Sequence, residues 1–439
     1  MRICASLSSA DDIGSEELGK ADMIEIRTDI FDSVPKGVLK EGQTGLISFK
    51  GDIVPSMIPE GWIADIGDAD SSAAPGRGTI SSFHDFSGTP CAEDIVNVMR
   101  EMNGDILKFA SNVNSVNDLA TLFDVSRRID KKHVILGMGE LGTVTRIRQK
   151  LMRNEFTFAY VGKETAPGQM SVSDMKRLGD YCIITGIIGS DIGYTLSPKM
   201  HNAAFAHAGL NGIYLKFDTP SVDRIHEMIT NFNVKGVNVT KPYKTDIIGH
   251  IDRCDKISER TGAVNTIVND NGKLKGYNTD VHGIEKAFEM NSVDVKGRRA
   301  LILGSGGAAR SCAYFLSEND CDVTVTGRNT DTVNKISNEF SARPQNRMSV
   351  AVKAYDIIVN CIPLNKNNDR SEYPIKIEQI DNNQIIFDMV YGGSHLNDVA
   401  KERECIIVKG KDMLIHQGIK AFELFTSVNV PYEVMRDAL

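Results

Sequence analysis

At 439 residues the chain has room for two or three domains, and 41% hydrophobic with 25% charged residues is enough for full cores. A net charge of -8 argues against a general binder of nucleic acid or acidic membranes. No apolar run approaches a membrane span and the opening "MRICASLSSADD" lacks a signal-peptide core. The eight scattered Cys form no C-x-x-C pair, so the expectation is a cytoplasmic protein with reduced thiols and no metal.

The first 170 residues carry eight short strand-like runs. They are "RICASL" from Arg2, "MIEIRTD" from Met23, "TGLISFK" from Thr44, "WIADIG" from Trp62, "GTISSFHDF" from Gly78, "DILKFA" from Asp105, "HVILGMG" from His133 and "FTFAYVG" from Phe156. Amphipathic helix patterns follow the fifth and sixth, "AEDIVNVMREM" and "VNDLATLFDVSRRI". Eight strands with intervening helices predict a (β/α)8 barrel. The connections after strands three and four are short and rich in Gly, Pro and Ser, so those crossover helices are expected to be abbreviated or missing. "SVSDMKRLGDY" reads as a last helix, with Ser171 capping and Asp174 three residues on.

A new strand pattern, "CIITGIIGS", starts beyond Asp180, which puts a boundary there. "VNDNGKLKGY" predicts a hairpin turning at Asn271-Gly272. From Lys296 the pattern is that of a dinucleotide-binding unit: a buried strand "RRALILG", a turn and helix "SGGAARSCAYFLSEN", and a second strand "CDVTVTGRN".

Active sites of such barrels lie at the C-terminal strand ends. Glu25 and Arg27 fall there on strand two, His84 on strand five and Lys108 on strand six. Arg146 follows strand seven; Thr165 and Gln169 follow strand eight. Lys108 sits in an apolar run, where desolvation would lower its pKa and free an amine for imine chemistry on a ketone. His84 would move protons near neutral pH. Singly, such residues are more often snorkelling or structural; as a set at matching strand ends they point to a site.

The segments "ADMIEIRTD", "SSFHDFSGTP", "DILKFA", "GTVTR" and "KETAPGQMSV" resemble the type I dehydroquinate dehydratases over almost the whole barrel. The resemblance implies that Lys108 forms the imine, His84 is the general acid/base for loss of water, and Arg146 binds the substrate carboxylate. Glu25, Arg27, Thr165 and Gln169 would hold hydroxyls or close the lid loop. Two positions depart from the family. Gly67 stands where a carboxylate usually partners the catalytic His, with Asp65 and Asp68 nearby. Lys50 stands for an Arg, keeping the charge at the substrate but losing the bidentate fork.

"LILGSGGAARS" follows a strand and opens a helix, the setting a dinucleotide fingerprint requires. Gly304, Gly306 and Gly307, with Ala308 next, allow a tight turn and close approach of a pyrophosphate to the helix N-terminus. The second strand ends at Arg328 and Asn329, where an NAD site would carry an acid. A guanidinium suits a ribose 2′-phosphate, so NADP (NADPH) is favoured over NAD.

From Ile184 onward the chain resembles shikimate dehydrogenases, through "TLSPKMHN", "GVNVTKPYK", "GAVNT", "GYNTD", the glycine turn, "DMVY" and "GKDMLIHQGIKAFEL". The resemblance implies a catalytic pair, Lys244 and Asp280, with Lys244 giving a proton to the carbonyl as hydride arrives. Thr195, Ser197, Asn238, Thr240, Asn265 and Gln417 would bind substrate hydroxyls and carboxylate, with Tyr391 helping at the cleft. Gly410 and Met413 would lie near the nicotinamide. Singly, these residues read as turn and cap residues, Asp280 as an N-cap. Tyr194 for a His, Thr195 for a Ser, "NCIPLN" from Asn360 and "DMVYGGSHLND" depart from the family pattern.

The expected architecture is α/β: a barrel over 1–182, a substrate lobe over 183–288 plus 411–439, and a Rossmann-type NADP lobe over 289–410. The expected function is a fused enzyme for two consecutive steps of the shikimate pathway, 3-dehydroquinate to 3-dehydroshikimate to shikimate, in aromatic amino acid biosynthesis. An inactive or aldolase-like Schiff-base barrel is the alternative for the first half, and an NAD-dependent quinate dehydrogenase for the second. The expected partners are these small molecules, without nucleic acid or membrane; a homo-oligomer is left open.

Overall fold

The computed structural model describes residues 1–69, 72, 74, 78–347 and 349–439. The chain divides into two compact units, Met1–Gly193 with Asn211–Lys235, and Tyr194–Leu210 with Gly236–Leu439.

In the first unit eight parallel strands line up in the order 7-6-5-4-3-2-1-8. They are β1 Ile3–Leu7, β2 Met23–Arg27, β3 Thr44–Ser48, β4 Ile63–Asp65, β5 Gly78–Asp85, β6 Ile106–Asn112, β7 His133–Met138 and β8 Thr157–Val161. The two end strands, β7 and β8, are joined just ahead of β8, by the Glu155 amide donating to the His133 carbonyl at 2.9 Å and by one carboxamide. The Ile135 amide donates to Asn154 Oδ1 at 2.7 Å, and Asn154 Nδ2 donates back to the Ile135 carbonyl at 2.9 Å. Helices follow the later strands: α1 Ala92–Glu101, α2 Val116–Arg128, α3 Thr143–Ile147 and α4 Val172–Leu178. After β1 and β3 there are short 3₁₀ turns in their place, so the abbreviation expected after strand three also holds after strand one; the connection after strand four lies largely outside the described residues. The Trp62 indole covers the outer face of β3, lying 2.1 Å from where a Cβ on Gly45 would stand; only glycine admits it there.

Along each strand alternate residues point inward. Toward the C-terminal ends this inner face passes from apolar to polar: Cys4 to Ser6, Met23 to Glu25, Leu46 to Ser48, Ile63 to Asp65, Ile80 to Ser82, Ile106 to Lys108. An apolar floor therefore carries a polar upper storey.

The same unit contains the parallel pair β9 Ile183–Gly189 and β10 Gly212–Asp218, and the helix Ile225–Asn231. Arg148, just past α3, is buried and donates to four backbone carbonyls: Phe232 at 2.8 Å, Asp180 at 2.5 Å, Cys182 at 3.0 Å and Asn233 at 3.2 Å. Arg224 reaches Asp124 of α2 at 2.6 Å. Asp180, at the expected boundary, is itself buried and accepts from the Lys150 amide at 2.9 Å.

In the second unit β11 Gly236–Val239, β12 Arg253–Cys254, β13 Thr266–Asp270 and β14 Lys273–Tyr277 are ordered 11-13-14-12. Asn271 and Gly272 take φ of 52° and 88°, the left-handed pair a tight hairpin turn requires. A second sheet holds β15 Arg299–Leu303, β16 Asp322–Thr326, β17 Arg343–Pro344, β18 Ile357–Asn360, β19 Ile385–Asp388 and β20 Ile406–Lys409. Its parallel order, 17-16-15-18-19-20, is that of a dinucleotide-binding doubly wound sheet. Ala300 and Ile302 of β15 enter one core and Leu301 and Leu303 the other, so the strand is apolar throughout. The Gly410–Thr426 helix lies along the Thr279–Met290 helix because Gly283 has no side chain; a Cβ there would stand 2.6 Å from the Met413 carbonyl oxygen.

Candidate active sites

In the barrel the polar storey forms one cluster. Lys108 Nζ lies 2.9 Å from Asp65 Oδ2, and Ser82 Oγ donates to Asp65 Oδ1 at 2.6 Å. Glu25 accepts from Ser6 and, at 2.7 Å, from Ser48. The ammonium also sits 4.6 Å from the centre of the Phe158 ring. The expectation that burial lowers the Lys108 pKa is corrected here. Burial does push it down, but the charges of Asp65 and Glu25 and the Asp65 hydrogen bond outweigh it, and the pKa is raised. Resting Lys108 is an ammonium. His84 is corrected as well: burial first, then the Lys108 and Lys50 charges, lower its pKa to about 3. Its imidazole is therefore a neutral proton acceptor across the physiological range, stacked on Phe86. Burial and the Lys108 charge also lower Lys50, at the barrel mouth.

Gly67 has φ of +63° and open space where a Cβ would be; its carbonyl accepts from the Ser82 amide at 2.7 Å. The position that lacks the family carboxylate is thus a turn that favours glycine. Asp65 joins the cluster, whereas Asp68 is exposed.

Gln169 Oε1 accepts from the Thr165 amide at 3.0 Å, the Thr165 hydroxyl at 2.8 Å and the Ala166 amide at 3.2 Å, which folds the loop on itself. Arg27 donates to the Thr165 carbonyl at 3.1 Å and grips Asp29 with two bonds. The Gly139 amide donates to the Pro167 carbonyl at 3.1 Å. A cavity of about 570 Å³ is lined by Glu140, Thr143 and residues 164–169; neither Lys108 nor His84 is part of its wall. Arg146 is buried, and burial lowers its pKa to about 10, so it stays cationic at neutral pH. Its Nε has no hydrogen-bond partner among the described residues.

In the second unit Lys244 Nζ lies 2.5 Å from Asp280 Oδ2, and Asn265 Nδ2 donates to Asp280 Oδ1 at 2.7 Å. Asn265 Nδ2 also lies 3.5 Å from Gln417 Oε1, and Asn238 Nδ2 donates to Thr266 at 3.0 Å. Asp280 is not the N-cap of its helix. Asn278 is, accepting from the Asp280 amide at 3.1 Å and donating to Ser311 at 2.9 Å. Thr195 Oγ donates to Ser197 Oγ at 3.3 Å, while Thr240 precedes the turn that carries Lys244.

The glycine turn backs directly onto this pair. A Cβ on Gly307 would stand 3.0 Å from Lys244 Cβ, and Gly304 takes φ of +113°. Ser305 binds Thr332 at 2.6 Å, holding the turn to the loop of Arg328. Arg328 is exposed at the end of β16, so its guanidinium is available to a phosphate. Asn329 spends its side chain on capping the Thr330–Glu339 helix. Gly410 lies where a Cβ would come 2.4 Å from the Asp388 carbonyl oxygen, and Met413 is buried nearby. Tyr391 is exposed, as is Tyr194, whose ring lies 5.0 Å from Lys241 Nζ.

The sequence reading singled out neither Ser82, Asn278 nor Ser305. Ser82 had a usable signal: it sits two residues before His84, on the same inward face. Asn278 and Ser305 look like ordinary turn residues until the network is assembled.

A parallel barrel with a buried Lys–carboxylate cluster, and a doubly wound nucleotide sheet abutting a Lys–Asp pair, define a two-site enzyme of lyase and dehydrogenase type. The family model described as type I 3-dehydroquinase matches residues 65–182. Those described as shikimate dehydrogenase substrate binding domain, shikimate/quinate 5-dehydrogenase and shikimate 5'-dehydrogenase C-terminal domain match 187–267, 285–389 and 410–439. Shikimate dehydrogenase (NADP(+)) of Carboxydothermus hydrogenoformans is 32% identical over 275 residues, 60% of this chain and 98% of that protein. Its namesake from Nitrosopumilus maritimus is 33% identical over 266 residues, 58% and 96% of the two chains. The solved shikimate dehydrogenase of Aquifex aeolicus superposes with a TM-score of 0.56 at 32% identity, covering 58% of this chain and 97% of that one. A shikimate dehydrogenase in complex with NADP+ gives 0.56 at 31%, covering 60% and 96%. The chain belongs to the shikimate dehydrogenase family, fused to a type I 3-dehydroquinase. No helix among the described residues is long and apolar enough to cross a membrane.

Proposed function

We propose that the chain catalyses two consecutive steps: Schiff-base dehydration of 3-dehydroquinate to 3-dehydroshikimate over 1–182, then reduction to shikimate with NADPH. The reduction belongs to the substrate lobe of 183–288 plus 411–439 and the NADP lobe of 289–410. The observation that carries this reading is the pair of built sites, Lys108 with its buried carboxylates and Lys244 with Asp280, in one chain whose two family likenesses make and consume the same intermediate.

In the barrel, Arg146 grips the substrate carboxylate, and Lys108 replaces the ketone oxygen with nitrogen, releasing water. Neutral His84 takes the proton beside the imine carbon and returns it to the departing hydroxyl. In the second site, Asn238, Asn265 and Gln417 orient the enone acid. NADPH, when bound, supplies the hydride. Lys244 gives its proton to the carbonyl oxygen, and Asp280, held by Asn265, keeps the ammonium in place. The glycine turn and the exposed Arg328 fit the pyrophosphate and 2′-phosphate of that cofactor.

The test follows loss of NADPH absorbance after 3-dehydroquinate alone is added to the full chain. Steady loss is expected; Lys108→Ala should stop it while reduction of added 3-dehydroshikimate continues. Loss with dehydroshikimate only would leave the barrel without this activity, and no loss with either would sink the proposal.

A further inference from the structure

We propose that Asp65 is the proton acceptor of the imine-forming lysine: it holds the Lys108 ammonium, takes one proton to release the amine, and returns it to the departing hydroxyl. This deepens the proposed barrel chemistry and rests on it. The Asp65 carboxylate is 2% exposed, its Oδ2 is 2.9 Å from Nζ, and its Oδ1 is fixed by Ser82 at 2.6 Å. Asp65 is thus the base already in hydrogen-bond contact with the buried ammonium.

The other titratable groups around Lys108 serve less well. Glu25 on β2 is engaged by Ser6 and Ser48. Cys4 on β1 is held as a thiol, chiefly by burial. Lys50, beyond β3, is a cation, and no hydrogen bond joins His84 on β5 to Nζ among the described residues, whereas Asp65 is already bonded to it. The step balances. The carboxylate takes one proton, the free amine adds to the ketone carbon, and the nitrogen passes a proton to the new alkoxide. The carboxylic acid then protonates that hydroxyl, which leaves as water, giving the iminium and regenerating the carboxylate.

The test is Asp65→Asn in the full chain, with acylation of Lys108 by acetic anhydride followed against pH by peptide mass spectrometry, without substrate. The midpoint should fall by about one unit or more, because the carboxylate no longer favours the ammonium. Dehydration of 3-dehydroquinate should drop ~100-fold or more, while reduction of 3-dehydroshikimate stays unchanged. An unmoved midpoint, or full dehydration activity, overturns the proposal. Should the variant not fold, the wild type decides: its Lys108 midpoint must lie above that of the exposed lysines, and one at or below theirs overturns the proposal. A shifted midpoint in a chain whose wild type dehydrates nothing would uphold the pairing, overturn the catalytic role, and locate the error in the substrate reading.

Discussion

Replacing Arg148 by Met should cost the first unit about 3–5 kcal/mol. The guanidinium serves four backbone carbonyls, at Asp180, Cys182, Phe232 and Asn233, and is almost fully buried. Each neutral acceptor bonded by a charged donor contributes about 1.5 kcal/mol or more, for a gross loss near 6 kcal/mol. Relief of the desolvated cation, whose pKa burial lowers, returns part of that. Met fills much of the space but donates nothing. Urea unfolding, followed by loss of dehydratase activity and by trypsin cleavage after Arg177, reads the effect. The midpoint should fall, and the segment around Asp180 should become cleavable under conditions where the wild type resists. A loss below about 1 kcal/mol would mean that water satisfies those carbonyls, and the boundary would then be an ordinary linker.

Gly283→Ala should destabilise the chain by about 1–3 kcal/mol, because its Cβ would meet the Met413 carbonyl oxygen at 2.6 Å; thermal unfolding followed by dehydrogenase activity checks this. Arg328→Gln should raise the KM for NADPH by roughly 10-fold with little change in kcat, and leave the KM for NADH alone; equal effects on both cofactors would remove the 2′-phosphate from its role. His84 is neutral above about pH 3, so it gives dehydration no acid limb near pH 6.5; a His84 imidazole whose NMR titration has its midpoint near 6.5 would contradict this. Between pH 6.5 and about 3 the unfolded chain binds a proton at His84 that the native barrel refuses, so this contribution to stability is present above pH 6.5 and lost as pH falls through that window. An acid-unfolding curve of His84→Asn should accordingly be shallower there.

The strands were legible because each is a short run whose inward positions alternate, and Asn271-Gly272 and Ser171 are local signals that need no tertiary context. The Lys108 ionisation state was not legible: the run "DILKFA" advertises burial, whereas Asp65 and Glu25 arrive from strands 43 and 83 residues earlier. The role of Gly67 was hidden for a related reason, since a missing carboxylate and a left-handed turn look alike in a string. The boundary at Asp180 follows the change of pattern in the chain. It cannot show that Arg148 stitches residues on both sides of it into one compact unit.

The seam between β7 and β8 is joined at its lower rim, through Asn154 and the backbone bond from the Glu155 amide to the His133 carbonyl. Arg146 follows one end strand of the barrel, and the loop of Thr165 and Gln169 follows the other. Lys108 stands on β6, one strand in from the seam, whereas Asp65 and Glu25 sit on β4 and β2. The lysine and the carboxylates that set its charge are each held between two paired strands, so a loosened seam leaves their register intact.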